Sequence, residues 1–112
     1  MSPDDRWRLQ HMIEAADKGQ KFTSGRQRAD LDSDQMLVFA IVRALEIIGE
    51  AASKISEETR SAHAEIPWKA IIGMRNRLVH AYFDIDASIV WVAVTEELPH
   101  LLGQLKALAV SD

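Results

Sequence analysis

The sequence predicts an all-α fold, an antiparallel up-and-down bundle of four to five helices in a single domain spanning residues 1–112. Three observations carry this. Apolar residues recur at helical spacing along segments rich in Ala, Leu, Ile and Glu. Five glycines and three prolines are too few for an all-turn β architecture. Residues that favour helix starts precede several segments, as at Ser2-Pro3-Asp4-Asp5 and Ser56-Glu57-Glu58.

Taken in order, the first helix opens with Ser2 as cap, Pro3 at the first position and acids against the helix dipole. Trp7, Ile13 and Ala16 are expected to face the core through about Lys21. A polar loop over Thr23–Ser33 leaves room for a short helical turn at Gln27–Leu31. Ser33–Ile55 reads as the longest helix, capped by Ser33 or Asp34. Because Met36–Ala52 is apolar almost all round, it needs cover on most sides, from its own domain and from a second subunit. Its polar stripe is Arg43, Glu46, Glu50 and Lys54, read either as solvent-facing charges or as a partner surface for a buried arginine. A short helix begins at Ser56–Ser61, and Ala64–Pro67 leads into a helix from Trp68 to about Tyr82–Asp84. The last helix runs from near Asp86 to Leu108 on a stripe of Trp91, Val94, Leu98, Leu101, Leu105 and Leu108. Pro99 removes the hydrogen bond to Thr95, so a kink is expected there. Most of the core is assigned to Ser33–Ile55, the Trp68 helix and the last helix.

Hydrophobic residues make up 47% of the chain and charged residues 27%, which fits a soluble globular protein. There are no cysteines, so disulfides and thiol chemistry are excluded and a reducing cytoplasm is the expected setting. The polar, acidic start is not read as a signal peptide. Met36–Ile48, the longest apolar-rich run, is broken by Arg43 and Glu46, so no membrane span is expected. A net charge of −4 argues against nucleic-acid binding by bulk charge. Basic residues do cluster, at Lys69, Arg75 and Arg77, and at Lys18, Lys21, Arg26 and Arg28; the second set reads most simply as solvated surface. The four histidines show no metal-site spacing, so neither metal nor other cofactor is expected. There is no phosphate-cradling glycine loop and no serine elbow.

The chain is organised around Trp68–Asp86. At 100° per residue, Ala70, Ile71, Met74, Leu78 and Ala81 form one apolar stripe, and Trp68, Ile72, Val79 and Tyr82 a second, with Arg75 inside it. Lys69, Gly73, Asn76, Arg77 and His80 occupy the remaining arc. Asn76 lies one turn before His80, placed to orient the imidazole. Arg75 and His80 are about 140° apart around one helix, poor geometry for joint action unless two copies share a groove. Arg75 as a structural ion pair and His80 as a surface histidine is the plainer reading.

Arg75, four residues, His80, one residue and Tyr82 resemble the Arg-x4-His-x-Tyr signature of HepT-like proteins of the HEPN superfamily. The surroundings are similar too: Glu46-Ile-Ile-Gly-Glu-Ala-Ala52, Gly73-Met-Arg-Asn-Arg-Leu-Val-His80, Ile89-Val-Trp91 and Glu97-Leu-Pro99. The resemblance covers nearly the whole chain and is least distinctive over residues 1–33. It implies a HEPN-like bundle acting as the toxin of a toxin–antitoxin pair, an endoribonuclease. It also implies a partner, a minimal nucleotidyltransferase antitoxin that transfers AMP from ATP to Tyr82.

Histidine can exchange protons with an RNA 2′-hydroxyl or leaving oxygen, and arginine can clamp a phosphate and stabilise charge building on it. Arg75 and His80 are therefore the candidate catalytic residues of a metal-independent cleavage through a 2′,3′-cyclic phosphate. The reaction needs a homodimer to supply a second His or Arg. Asn76, Glu46 and Glu50 are candidate supporting residues, and Lys69 and Arg77 candidate RNA contacts. A non-catalytic accessory subunit that engages nucleotide or a nucleotidyltransferase, and a purely structural helical dimer, are the alternatives.

Overall fold

Each main helix that opens the chain starts where a short polar side chain can satisfy otherwise unpaired backbone amides. In the computed structural model, Ser2 Oγ accepts from the Asp5 N–H at 3.1 Å and opens α1, Pro3–Thr23. Asp34 accepts from the Leu37 N–H at 3.1 Å and opens α3, Gln35–Lys54, just after the one-turn α2, Asp30–Ser33. Ser56 Oγ accepts from the Thr59 N–H at 3.3 Å and opens α4, Glu57–Ala62. Then follow α5, Trp68–His80, and α6, Ala87–Val92. A π turn over Ala93–Glu97 joins α6 to α7, Leu98–Ser111. The structure describes residues 1–80 and 87–111, with the side chains of Arg75, Arg77, Val79 and His80 outside the described set. Among the described residues every regular element is helical, and no helix is long and apolar enough to cross a membrane.

The most extensive packing is between α1 and α3, followed by α3 with α5 and α1 with α7. Met12, Ile41 and Leu105 are fully enclosed, one each from α1, α3 and α7. Truncating any of them to Ala removes transfer energy and leaves a cavity, at about 2–5 kcal/mol. Gly19 marks the tightest crossing: a Cβ there would meet Leu98 Cδ2 at 2.9 Å and Ala44 Cβ at 3.6 Å. A glycine at that point lets α1 approach α3 and the start of α7 closely.

Several expectations are corrected. Trp7 does not face the core; it is 62% exposed, tilted over His11 with ring centroids 4.0 Å apart. The first helix, at 21 residues, is one longer than α3, and it carries a large share of the core that was assigned elsewhere. Ala70 is exposed rather than part of the buried stripe of α5. Within one chain, α3 is covered on most sides, and Met36 and Phe39 stay 83% and 61% exposed, the part of its apolar surface that the sequence reading leaves to a second subunit. The helical turn expected at Gln27–Leu31 forms slightly later, at Asp30–Ser33. Pro99 does interrupt the last helix, but through the π turn that precedes it. The Leu98 N–H reaches back five residues to the Ala93 carbonyl, and Thr95 Oγ1 donates to the Trp91 carbonyl at 2.6 Å. The widened turn accommodates a proline that can neither donate to nor pack against the carbonyl four residues before it.

Asp5 has a role that its place in a first helical turn does not disclose. It is 2% exposed and accepts from the Ser56 N–H at 3.0 Å, Ser56 Oγ at 2.6 Å and Thr59 Oγ1 at 2.7 Å. It thereby ties the start of α1 to the α3–α4 junction. Burial pushes its carboxyl up, but the bonds from Ser56 and Thr59, with the charge of Arg8, outweigh that and hold it below the usual carboxylate range. A folded-state value below the unfolded one, about 3.9, gives stability that is complete above that pH and lost as pH falls through the folded value. Asp5→Asn is expected to cost about 2 kcal/mol at pH 7, by weakening charge-assisted bonds and leaving a buried donor poorly matched. It should also lose less stability than the wild type as pH falls from 5 to about 3, through the unfolded carboxyl's value of about 3.9. Denaturant unfolding of both proteins at those values checks this; equal losses on acidification would contradict it.

Candidate active site

The helix bearing the motif is anchored at its start. Trp68 is 7% exposed, its backbone N–H bonds to the Ile66 carbonyl at 2.8 Å, and its indole Nε1 donates to the His63 carbonyl at 3.0 Å. Ile71 and Leu78 are buried farther along the same helix. Ile71 and Met74 line a groove of about 590 Å³ with Leu45 and Ile48 of α3 and Leu101 of α7. Fixing Trp68, Ile71 and Leu78 inward fixes the rotation of α5, and hence which arc faces water. Lys69 and Asn76 are exposed, so the described members of the polar arc face solvent. A Cβ placed on Gly73 would meet nothing within 4 Å, which leaves open space beside that arc.

The backbone of α5 brings Arg75, Asn76, Arg77 and His80 onto one continuous helix. Arg75 and His80 are separated by about 7.5 Å along its axis. Tyr82 lies outside the described residues, as do the side chains of Arg75, Arg77 and His80.

The supporting acids sit on α3, which packs against α5. Glu46 Oε2 is 3.7 Å from Arg43 Nη1, and Glu50 Oε1 is 3.1 Å from Lys54 Nζ. Arg43 and Lys54 are 71% and 58% exposed in their side chains, so the basic members of the stripe behave as solvated charges. Glu46, at 18%, sits deeper than its partner. Pairing of either acid with Arg75 falls outside the described side chains.

Three of the four members of the second basic cluster are paired on the surface. Lys21 meets Asp17 at 3.1 Å, Arg26 meets Asp34 at 2.6 Å and Arg28 meets Asp32 at 3.5 Å. Sequence spacing did not single out Arg60, which lines the same surface hollow as Lys69. The two are nine positions apart and on different helices, so no periodicity links them. Among the described residues, no three His, Asp or Glu side chains gather in a way that could hold a metal ion.

An all-α bundle with Arg75, Asn76 and His80 on one anchored helix has the make-up of a HEPN domain. The chain belongs to the HepT-like ribonuclease family, whose description, Ribonuclease HepT-like, matches residues 12–108. It is 39% identical over 100 residues to a Thermococcus cleftensis protein named as a probable ribonuclease HepT, covering 89% of this chain and 91% of that one. It is 37% identical over 100 residues to a protein of Caldanaerobacter subterraneus subsp. tengcongensis named as a candidate RNase, covering 89% of each. A Methanocaldococcus jannaschii protein, also named as a candidate RNase, is 37% identical over 98 residues, covering 88% of this chain and 90% of that one. No solved structure matches the chain significantly.

Proposed function

We propose that this ribonuclease is the toxin of a toxin–antitoxin pair. In this reading it is a metal-independent endoribonuclease whose Arg75 and His80 act in a groove shared by two copies. The observation that carries the reading is the run Arg75-Asn76 to His80 on a helix anchored by Trp68 and Ile71, in a chain of the HepT-like family. In the reaction, the RNA 2′-oxygen attacks the adjacent phosphorus and expels the 5′-oxygen of the next nucleotide. A histidine takes the 2′-hydroxyl proton, and a protonated group, a second His80 or a solvent proton relay, returns one to the leaving oxygen. Arg75 clamps the non-bridging oxygens as charge builds on them. Asn76 orients His80 from one turn earlier, and Lys69 and Arg77 hold neighbouring backbone. The antitoxin is a minimal nucleotidyltransferase that consumes ATP and adenylylates Tyr82, and both proteins work in the cytoplasm.

A homodimer with the α5 helices near its twofold axis supports joint action, because one helix holds Arg75 and His80 about 140° apart. The open face at Gly73 and the exposed Met36 and Phe39 favour a second copy. Light scattering at micromolar concentration is expected to give twice the monomer mass of 12.6 kDa. A monomer that cleaves RNA would remove the shared groove from this account.

A further inference from the structure

At the start of α5, a surface hollow lies between α4 and α5. Arg60 and Lys69 line it from the two helices, with Trp68 and Ile66 along its wall. The Arg60 Nε is buried, yet no acceptor meets it. A buried guanidinium N–H without an acceptor is costly, because its hydration has been removed and not replaced. Lys69 is exposed and pairs with no acidic side chain among the described residues, unlike Lys21, Arg26 and Arg28. Glu57 is the acidic residue along this hollow, exposed in the first turn of α4. Two cations against one carboxylate leave the hollow net positive.

We propose that Arg60 and Lys69 form a phosphate subsite that holds the RNA backbone away from the bond being cut. This rests on the ribonuclease reading and deepens it. Arg60 lines the hollow, and the fork of its guanidinium suits a phosphate. Lys69 precedes Arg75 by six residues, about 9 Å along the helix axis. That separation is comparable to the spacing of successive phosphates in an extended single strand. Six residues also turn the helix through about 240°, so an RNA strand that meets Lys69 and Arg60 reaches the Arg75 clamp one or two nucleotides on by winding partly around α5. The subsite would give grip and register on a chain whose overall charge repels RNA.

The test is binding of a non-cleavable 2′-O-methyl oligoribonucleotide to the full-length protein across a salt series. RNA cleavage by the same preparations is measured in parallel. Lys69→Gln and Arg60→Gln are each expected to weaken binding severalfold. Each should also reduce the slope of log affinity against log salt by about 0.7, the value for one lost phosphate contact on a single strand. The cleavage KM should rise, with kcat within about twofold of wild type. Lys69 is exposed, so Lys69→Gln remains informative if Arg60→Gln folds poorly. Wild-type cleavage together with wild-type salt slopes in Lys69→Gln would overturn the subsite and leave the ribonuclease reading standing. Variants that lose a nucleotidyltransferase partner but keep RNA binding would also overturn it, by assigning the hollow to a protein. Failure of the wild type itself to cleave or bind RNA would sink the ribonuclease reading first.

Discussion

His80→Ala is expected to abolish measurable RNA cleavage and cellular toxicity, a loss of at least about 10²-fold, while the protein melts as the wild type does. The imidazole is the one group on the polar arc of α5 able to exchange protons near neutral pH. Its place on that arc, with Asn76 and Lys69 exposed, predicts no packing cost on truncation. Arg75→Ala should abolish cleavage too, through loss of the phosphate clamp, but with a different stability signature. The spacing puts Arg75 in an apolar sector of α5, so a carboxylate that loses it would be left as an uncompensated charge. Arg75→Lys separates the two roles. It keeps the charge but not the bidentate fork, so it should restore stability more than activity. Circular-dichroism melts beside cleavage of a labelled oligoribonucleotide check all three variants. Full cleavage by purified His80→Ala would remove His80 from the mechanism.

Co-expression with an adjacent nucleotidyltransferase is expected to silence the enzyme by modifying Tyr82. The phenol oxygen attacks the α-phosphorus of ATP, pyrophosphate leaves, and the phenolic proton passes to solvent or a base of the partner. The added phosphodiester brings negative charge to the stripe that Tyr82 shares by spacing with Arg75, so it competes for the guanidinium that otherwise holds RNA. The attached nucleoside also fills the groove. Intact-mass measurement should show increments of whole AMP units in the wild type and none in Tyr82→Phe. Cleavage should be lost in the modified protein and kept in Tyr82→Phe. An unmodified protein inhibited by tight binding alone would leave Tyr82 as a packing residue.

Local chemistry made much of this fold legible. Ser2, Asp34 and Ser56 could be read as caps because a short acceptor before an apolar-periodic run has few other uses. The stripe from Val94 to Leu108 was legible because five of its members repeat at helical spacing, and all are buried. Trp7 misled because a large aromatic is assigned to the core by hydrophobicity alone, whereas neighbouring helices decide which arc is covered. The weight of α1 in the core was hidden for the same reason. Its apolar surface is made of small and medium residues, Leu9, Met12, Ala15, Ala16 and Gly19, whose value lies in close approach to α3. Asp5 and Arg60 could not have been found by periodicity. Each depends on a residue from another helix: Ser56 and Thr59 for Asp5, Lys69 for Arg60. The candidate site was legible as a run of residue types on one helix, while Glu46 and Glu50 remained two readings of one stripe. Their contacts with Arg43 and Lys54 follow the short helical spacings that the sequence already contains.

The chemistry assigned to Arg75 and His80 is tested most directly by the ends of the cut RNA. Purified protein is incubated in excess EDTA with a defined oligoribonucleotide, and the fragments are weighed by mass spectrometry. The same oligomer with one 2′-deoxy position at each cleavage site serves as the paired substrate. The expected result is 2′,3′-cyclic phosphate and 5′-hydroxyl ends from the ribo substrate, no cutting at the deoxy positions, and no products from His80→Ala. Fragments with 5′-phosphate and 3′-hydroxyl ends, or equal cutting of the deoxy substrate, would contradict attack by the 2′-oxygen and with it the roles given to both residues.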